Sequence, residues 1–317
     1  MNKKTSARKL KKKIGILGFP MDLGADRRGV DMGPSALRYA NLEEKLEVLG
    51  YKVKDFGDLF IEGAETQTIR NPKLKYLPEI VRSSKILAKK VESLLNRDYF
   101  PLILGGDHAS AIGSIAGIAT YCRKHKQTLG VIWIDAHADM NTPESSPSGN
   151  IHGMPLAASL GLGDRRLTHL GGFSPKVLPN NVALIGIRDV DREEAETVKK
   201  YKTEGMQVYT MTEVDKQGIP RIIARVLNDF KNRVDHIHVS FDLDGVDPDY
   251  GGGVGTPVEG GLTYRESQLL MEMVADCGCM NSLEMLEVNP ILDNKNETAL
   301  LAVDFIESAL GKSTLYD

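Results

Sequence analysis

Short runs rich in Val, Ile and Leu alternate with longer amphipathic stretches along almost the whole chain, and this limits its possible folds more than any other feature. The runs are KIGILGF, YKVKDF, FPLILGG, LGVIWIDA, NVALIGI, MQVYT, DHIHVSFD and NSLEMLEVN. Helices are expected between them at 35–49, 77–95, 109–124, 193–204, 220–232, 264–277 and 297–310. Strands that are apolar throughout need cover on both faces, and helical crossovers join parallel neighbours. The expected architecture is one doubly wound α/β domain, with no linker or internal repeat inside it.

Composition adds exclusions. The 317 residues are 41% hydrophobic and 26% charged, enough apolar surface for a sizeable core. No stretch approaches the roughly 18 uninterrupted apolar residues of a membrane span. The net charge of -3 hides an asymmetry, because the opening MNKKTSARKLKKK is strongly basic and carries no acid. Residues 1–13 are expected to form a solvated, disordered arm rather than a nucleic-acid or membrane contact, with residues 14–317 forming the domain. IGILGFP is followed at once by Met21, Asp22 and Gly24, too short an apolar run for a secretory signal, so a cytoplasmic protein is expected. Three cysteines make a poor disulfide framework, and Cys277 and Cys279 are expected to be a reduced thiol pair.

Ligands of open α/β sheets bind at the carboxyl ends of strands, which directs attention to three clusters. Gly105-Gly106-Asp107-His108 follows LILG, Asp135-Ala-His137-Ala-Asp139 follows GVIWI, and Asp242-Leu-Asp244 follows IHVSF. Residues two apart on an extended chain point the same way, so Asp135, His137 and Asp139 can converge, as can Asp242 and Asp244. With His108 they make six candidate ligands. Four carboxylates and two imidazoles without a thiolate suit divalent first-row metals of intermediate hardness. Six ligands are many for one catalytic ion but fit two ions sharing carboxylates, whose bridging water would ionise near neutral pH and serve as a hydroxide nucleophile. That chemistry is hydrolytic.

At these residues the sequence resembles the ureohydrolase family, and within it the arginases. The match runs over 14–311 and includes PMDLGADRRGVDMGPSALRYA, GGDHA, DAHADMNTPESSPSGNIHGMP, IGIRDVDREE, SFDLDGVDP, GTPVEGGLTYRE and LEVNP. The resemblance implies a three-layer α/β/α fold with a mostly parallel eight-stranded sheet and two manganese ions (Mn2+) per subunit. It assigns His108, Asp135, Asp139 and Asp242 to one ion, and Asp135, His137, Asp242 and Asp244 to the other. The implied reaction is hydrolysis of L-arginine to L-ornithine and urea, by attack of the metal-bridging hydroxide on the guanidinium carbon. Glu287 is the implied guanidinium partner and His152 the proton shuttle, with Asp135 and Asp242 among the bridging carboxylates and Asp135 counted with the catalytic residues. Asn141, Ser148 and Asn150 would hold the α-carboxylate, Asp191 and Glu194 the α-amino group, and Thr256 is a further pocket residue. His125, His169, His236 and His238 receive no role. Relatives form trimers or hexamers, so a homo-oligomer is implied, with no nucleic-acid or membrane partner.

Two departures stand out. DYGGGVGTP carries Gly251 to Gly253 where the family commonly has Ala-Pro, which is expected to add backbone freedom near the pocket. Ala109 replaces a common Ser and is expected to alter a helix cap or the surroundings of the ligands. Three alternatives stay open: a ureohydrolase for agmatine or a guanidino acid, a catalytically silent family member, and a dinucleotide-binding protein. The last is disfavoured by GFPMDLG where G-x-G-x-x-G would stand. The SGNxHG stretch at Ser148 to Gly153 is the feature that favours arginine over agmatine.

Overall fold

A computed structural model describes residues 13–315. The basic arm lies outside the described residues except for Lys13, which opens the first strand. Eight strands follow the expected runs: β1 (Lys13–Phe19), β2 (Lys52–Asp58), β3 (Phe100–Gly105), β4 (Leu129–Ile134), β5 (Val182–Ile187), β6 (Gln207–Thr210), β7 (His236–Asp242) and β8 (Met280–Leu286). They form one sheet in the order β2-β1-β3-β8-β7-β4-β5-β6, and every pairing is parallel.

Strand alternation feeds two apolar layers. In β4, Ile132 and Ile134 join a core with the helices Ile219–Lys231, Tyr264–Cys277 and Glu297–Ala309. Val131 and Trp133 point the other way, into a core with the helices Leu77–Asn96 and Ser110–Lys124. The fold is therefore α/β/α in three layers, and β3, β4, β5 and β7 are buried along their full lengths. Among the described residues, no helix is long and apolar enough to cross a membrane.

Three local expectations change. The helix expected at 35–49 is two helices, Gly33–Tyr39 and Leu42–Val48, because Asn41 takes a left-handed backbone with φ 61° that an α-helix cannot include. A further helix, Met211–Gln217, starts at a Thr210/Glu213 capping box, a signal present in the sequence. Cys277 and Cys279 are joined as a disulfide rather than standing as free thiols, and Gly278, at φ 60°, turns the chain between them.

Candidate metal centre

The site stands on the turns that follow β3, β4, β7 and β8. Gly106 follows β3 where a Cβ would lie 1.8 Å from the Met21 carbonyl oxygen, so only glycine lets the β1 and β3 exits pack this closely. Asp107 then accepts from Gly24 N at 2.7 Å and Ala109 N at 2.9 Å. Its carboxylate thus holds the Ala109 amide, while the helix Ser110–Lys124 begins at Ala109 without a side-chain cap. The turn delivers His108 into the cluster.

His108 Nδ1 faces three carboxylates, at 2.9 Å from Asp242, 3.1 Å from Asp135 and 3.3 Å from Asp139. Its other ring nitrogen meets Ser240 Oγ at 2.9 Å, and its ring stacks on Trp133 with centroids 4.1 Å apart. Trp133 also donates to Asp135 Oδ2 at 2.9 Å. His137 Nδ1 lies 3.1 Å from Asp244 and 3.4 Å from Asp135. Two ligand groups result, His108/Asp135/Asp242 and Asp135/His137/Asp244, each with its donor atoms within 4.8 Å of one another and sharing Asp135. Asp139, held at φ 52°, directs a buried Oδ2 that makes no hydrogen bond toward the first group.

The electrostatics describe a cluster built around cations. Burial disfavours charge on His108, yet Asp135 and Asp242 outweigh it and raise its pKa well above the ordinary range. Burial and the Asp135 charge push Asp139 up, and burial with Asp244 and Asp135 does the same to Asp242. So many carboxylates out of water cannot all ionise without compensating positive charge. The oxygen and nitrogen donors, the shared carboxylate and the Asp139 oxygen that makes no hydrogen bond fit divalent ions of intermediate hardness.

Above the cluster is a cavity of about 140 Å³, lined by His108, His137, Asp139, Asp242 and Asp244 below and by Asn141, Ser148, Asn150, His152, Asp191, Glu194 and Thr256 around it. Glu287, the first residue after β8 ends at Leu286, has a left-handed φ of 65°. Its Oε1 accepts from His108 N at 2.8 Å and lies 3.4 Å from His152 Nδ1, whereas its buried Oε2 makes no hydrogen bond. Burial opposes protonation of His152, but the Glu287 carboxylate prevails and pushes its pKa up to about 9.

Other candidates occupy less direct positions. Thr256 donates to Asp244 Oδ2 at 2.9 Å, so its hydroxyl orients a candidate ligand. Asp191 and Glu194 form the capping box of the helix Arg192–Thr203, and Glu194 also accepts from Met140 N at 2.7 Å. Asn141 donates to Asp191 Oδ2 at 3.0 Å, tying the two sides of the rim together. Gly253 donates to Thr298 Oγ1 at 2.9 Å and accepts from Asn289 N at 2.7 Å, so the glycine-rich stretch is anchored rather than loosened. Trp133, Ser240 and Asp107 went unassigned in the sequence. The available signal was strand alternation, which puts Trp133 on the face of Asp135 and Ser240 on that of Asp242.

The Arginase family profile matches residues 12–311. The arginase of Bacillus subtilis (strain 168) is 52% identical over 305 residues, covering 96% of this chain and 99% of that protein. The native structure of Bacillus caldovelox arginase at pH 5.6 superposes with a TM-score of 0.91 at 50% identity, covering 96% of this chain and 99% of that one. A structure of Entamoeba histolytica arginase in complex with L-ornithine has a TM-score of 0.86 at 30% identity, covering 96% and 100%. With its sheet order, paired ligand groups and matching relatives over nearly its whole length, the chain belongs to the arginase family.

Proposed function

We propose that this protein hydrolyses L-arginine to L-ornithine and urea. The observation that carries the reading is one cavity bounded by the two ligand groups on one side and by Ser148, Asn150 and Asp191 on the other. That cavity offers hydrolytic chemistry at one end and polar groups suited to an α-amino acid at the other. His108, Asp135, Asp139, His137, Asp242 and Asp244 would hold two manganese ions, which supply Lewis acidity and a water that is nucleophilic near neutral pH.

The chain's own groups do the rest. Glu287 Oε2, buried and without a hydrogen bond, meets the planar guanidinium, while Oε1 stays bound to the His108 backbone. The carboxylate thereby fixes the guanidinium carbon over the cluster and stabilises positive charge that persists through the reaction. His152, its pKa raised by Glu287 to about 9, carries a proton at neutral pH and can hand it to the departing amine. Asn141, Ser148 and Asn150 hold the α-carboxylate, and Asp191 faces the α-amino group. Glu194 supports Asp191 from the capping box, and Thr256 keeps Asp244 in place. The resemblance further supports a single catalytic unit over 14–317 in a cytoplasmic homo-oligomer.

The test is urea release by metal-stripped protein resupplied with manganese, with L-arginine and agmatine assayed in parallel. Urea from arginine with little from agmatine is expected. Urea mainly from agmatine would overturn the reading of the 141–152 loop, and none from either would overturn the hydrolase.

A further inference from the structure

The segment before the helix Leu77–Asn96 is pressed against the loop that carries Ser148 and Asn150. Lys75 N donates to Gly149 O at 3.1 Å, and Lys73 Nζ donates to Ser146 O at 2.8 Å. Gly149 has φ +73°, and a Cβ there would stand 1.8 Å from the Pro72 carbonyl oxygen. Through this contact Lys75 reaches the rim: its Nζ donates to Asn150 Oδ1 at 2.9 Å and to the two carboxylate oxygens of Asp26 at 2.7 and 3.0 Å. Asn150 is only 8% exposed.

An ammonium group has donors and no acceptor, so the amide atom it touches must be the oxygen. Lys75 and Asp26 therefore fix together which way the Asn150 amide faces, the first meeting its oxygen and the second accepting from its NH2, whose other N–H is left to donate elsewhere. Without that cation the amide could turn over and present an oxygen to an incoming carboxylate, replacing attraction by repulsion. Asp26 pairs with the ammonium and holds it in position against Asn150.

We infer that Lys75 is a positioning residue for substrate selection: by orienting Asn150 at the rim, it favours guanidino substrates bearing a carboxylate over those lacking one. The inference rests on the proposed function, in which Asn150 faces the substrate α-carboxylate.

The experiment compares wild type, Lys75→Met and Lys75→Arg, all loaded with manganese, using L-arginine and agmatine. Agmatine binding is read as KM if it is turned over and as Ki if it only competes. Lys75→Met is expected to raise KM for arginine about ten-fold, as for loss of one charge-assisted contact, with kcat within about two-fold and agmatine binding unchanged. Lys75→Arg, which also only donates, is expected to recover most of the loss. An unchanged ratio of arginine to agmatine binding in Lys75→Met would overturn the inference. Equal weakening toward both ligands that Lys75→Arg does not rescue would also overturn it, by showing a purely structural role. Wild type that prefers agmatine would instead strike the proposed function, so the two failures are distinguishable.

Discussion

Glu287 shows how much a single side chain is asked to do in this site. One carboxylate oxygen is tied to the His108 backbone and the other is buried without a partner, on a backbone held at φ 65°. Glu287→Gln keeps the shape and an acceptor for His108 N but removes the charge proposed to face the guanidinium. It is expected to lower kcat/KM for arginine by roughly 10² to 10³, a loss of several kcal/mol of transition-state stabilisation, while metal content by elemental analysis stays at the wild-type level. Five of the six candidate ligand positions stood out through period-two spacing at strand ends, and His108 through its place in the cluster after β3. Glu287 was legible only through the resemblance, since a lone strand-end glutamate has no spacing partner. Thr256 lines the cavity, but its bond to Asp244 links residues twelve apart through a turn whose path spacing alone does not specify.

Among the elements, the helix Arg192–Thr203 couples folding to the pocket. Its capping box consists of Asp191 and Glu194, and Glu194 reaches across to the backbone of Met140 beside the candidate ligand Asp139. Burial raises the Glu194 pKa to about 7, with the Met140 and Asp191 backbone amides opposing it. An acid whose folded pKa lies above its unfolded value binds more protons when folded, so its contribution to stability falls as pH rises from about 4.5 to about 7. In metal-stripped protein, denaturant unfolding across that window should show a smaller loss of stability with rising pH for Glu194→Gln than for wild type; parallel curves would contradict this. Sequence pattern located most elements because burial sets the apolar rhythm. It failed at Asn41, which takes a left-handed turn between two helices, a conformation Asn adopts more readily than most residues and that apolar periodicity does not register.

At the scale of the whole molecule, the inner face of the sheet carries polar groups as well as apolar ones. His238 of β7 lies 3.0 Å from Glu284 of β8, both fully buried, and Ser114 donates to Glu284 at 2.5 Å. Burial would raise the Glu284 pKa, but His238 and Ser114 hold it below the usual glutamate value. Glu284→Ala removes one member of this pair and strands the other, and is expected to cost about 3 to 5 kcal/mol in denaturant unfolding of metal-stripped protein. A change below about 1 kcal/mol would show that water replaces the lost partner. This pair was not legible because a histidine and a glutamate 46 residues apart give no motif; only the strand order brings them together.

That same order has a consequence for the chain as the ribosome makes it. β8 is the last strand in sequence, yet it lies between β3 and β7. Until it emerges, a nascent sheet has a slot at its centre, with the facing edges of β3 and β7 offering unpaired backbone groups to any passing extended segment. The last strand to be synthesised both seals that slot and brings Glu287 to His108, so the most association-prone interval of biosynthesis ends with the event that completes the cavity.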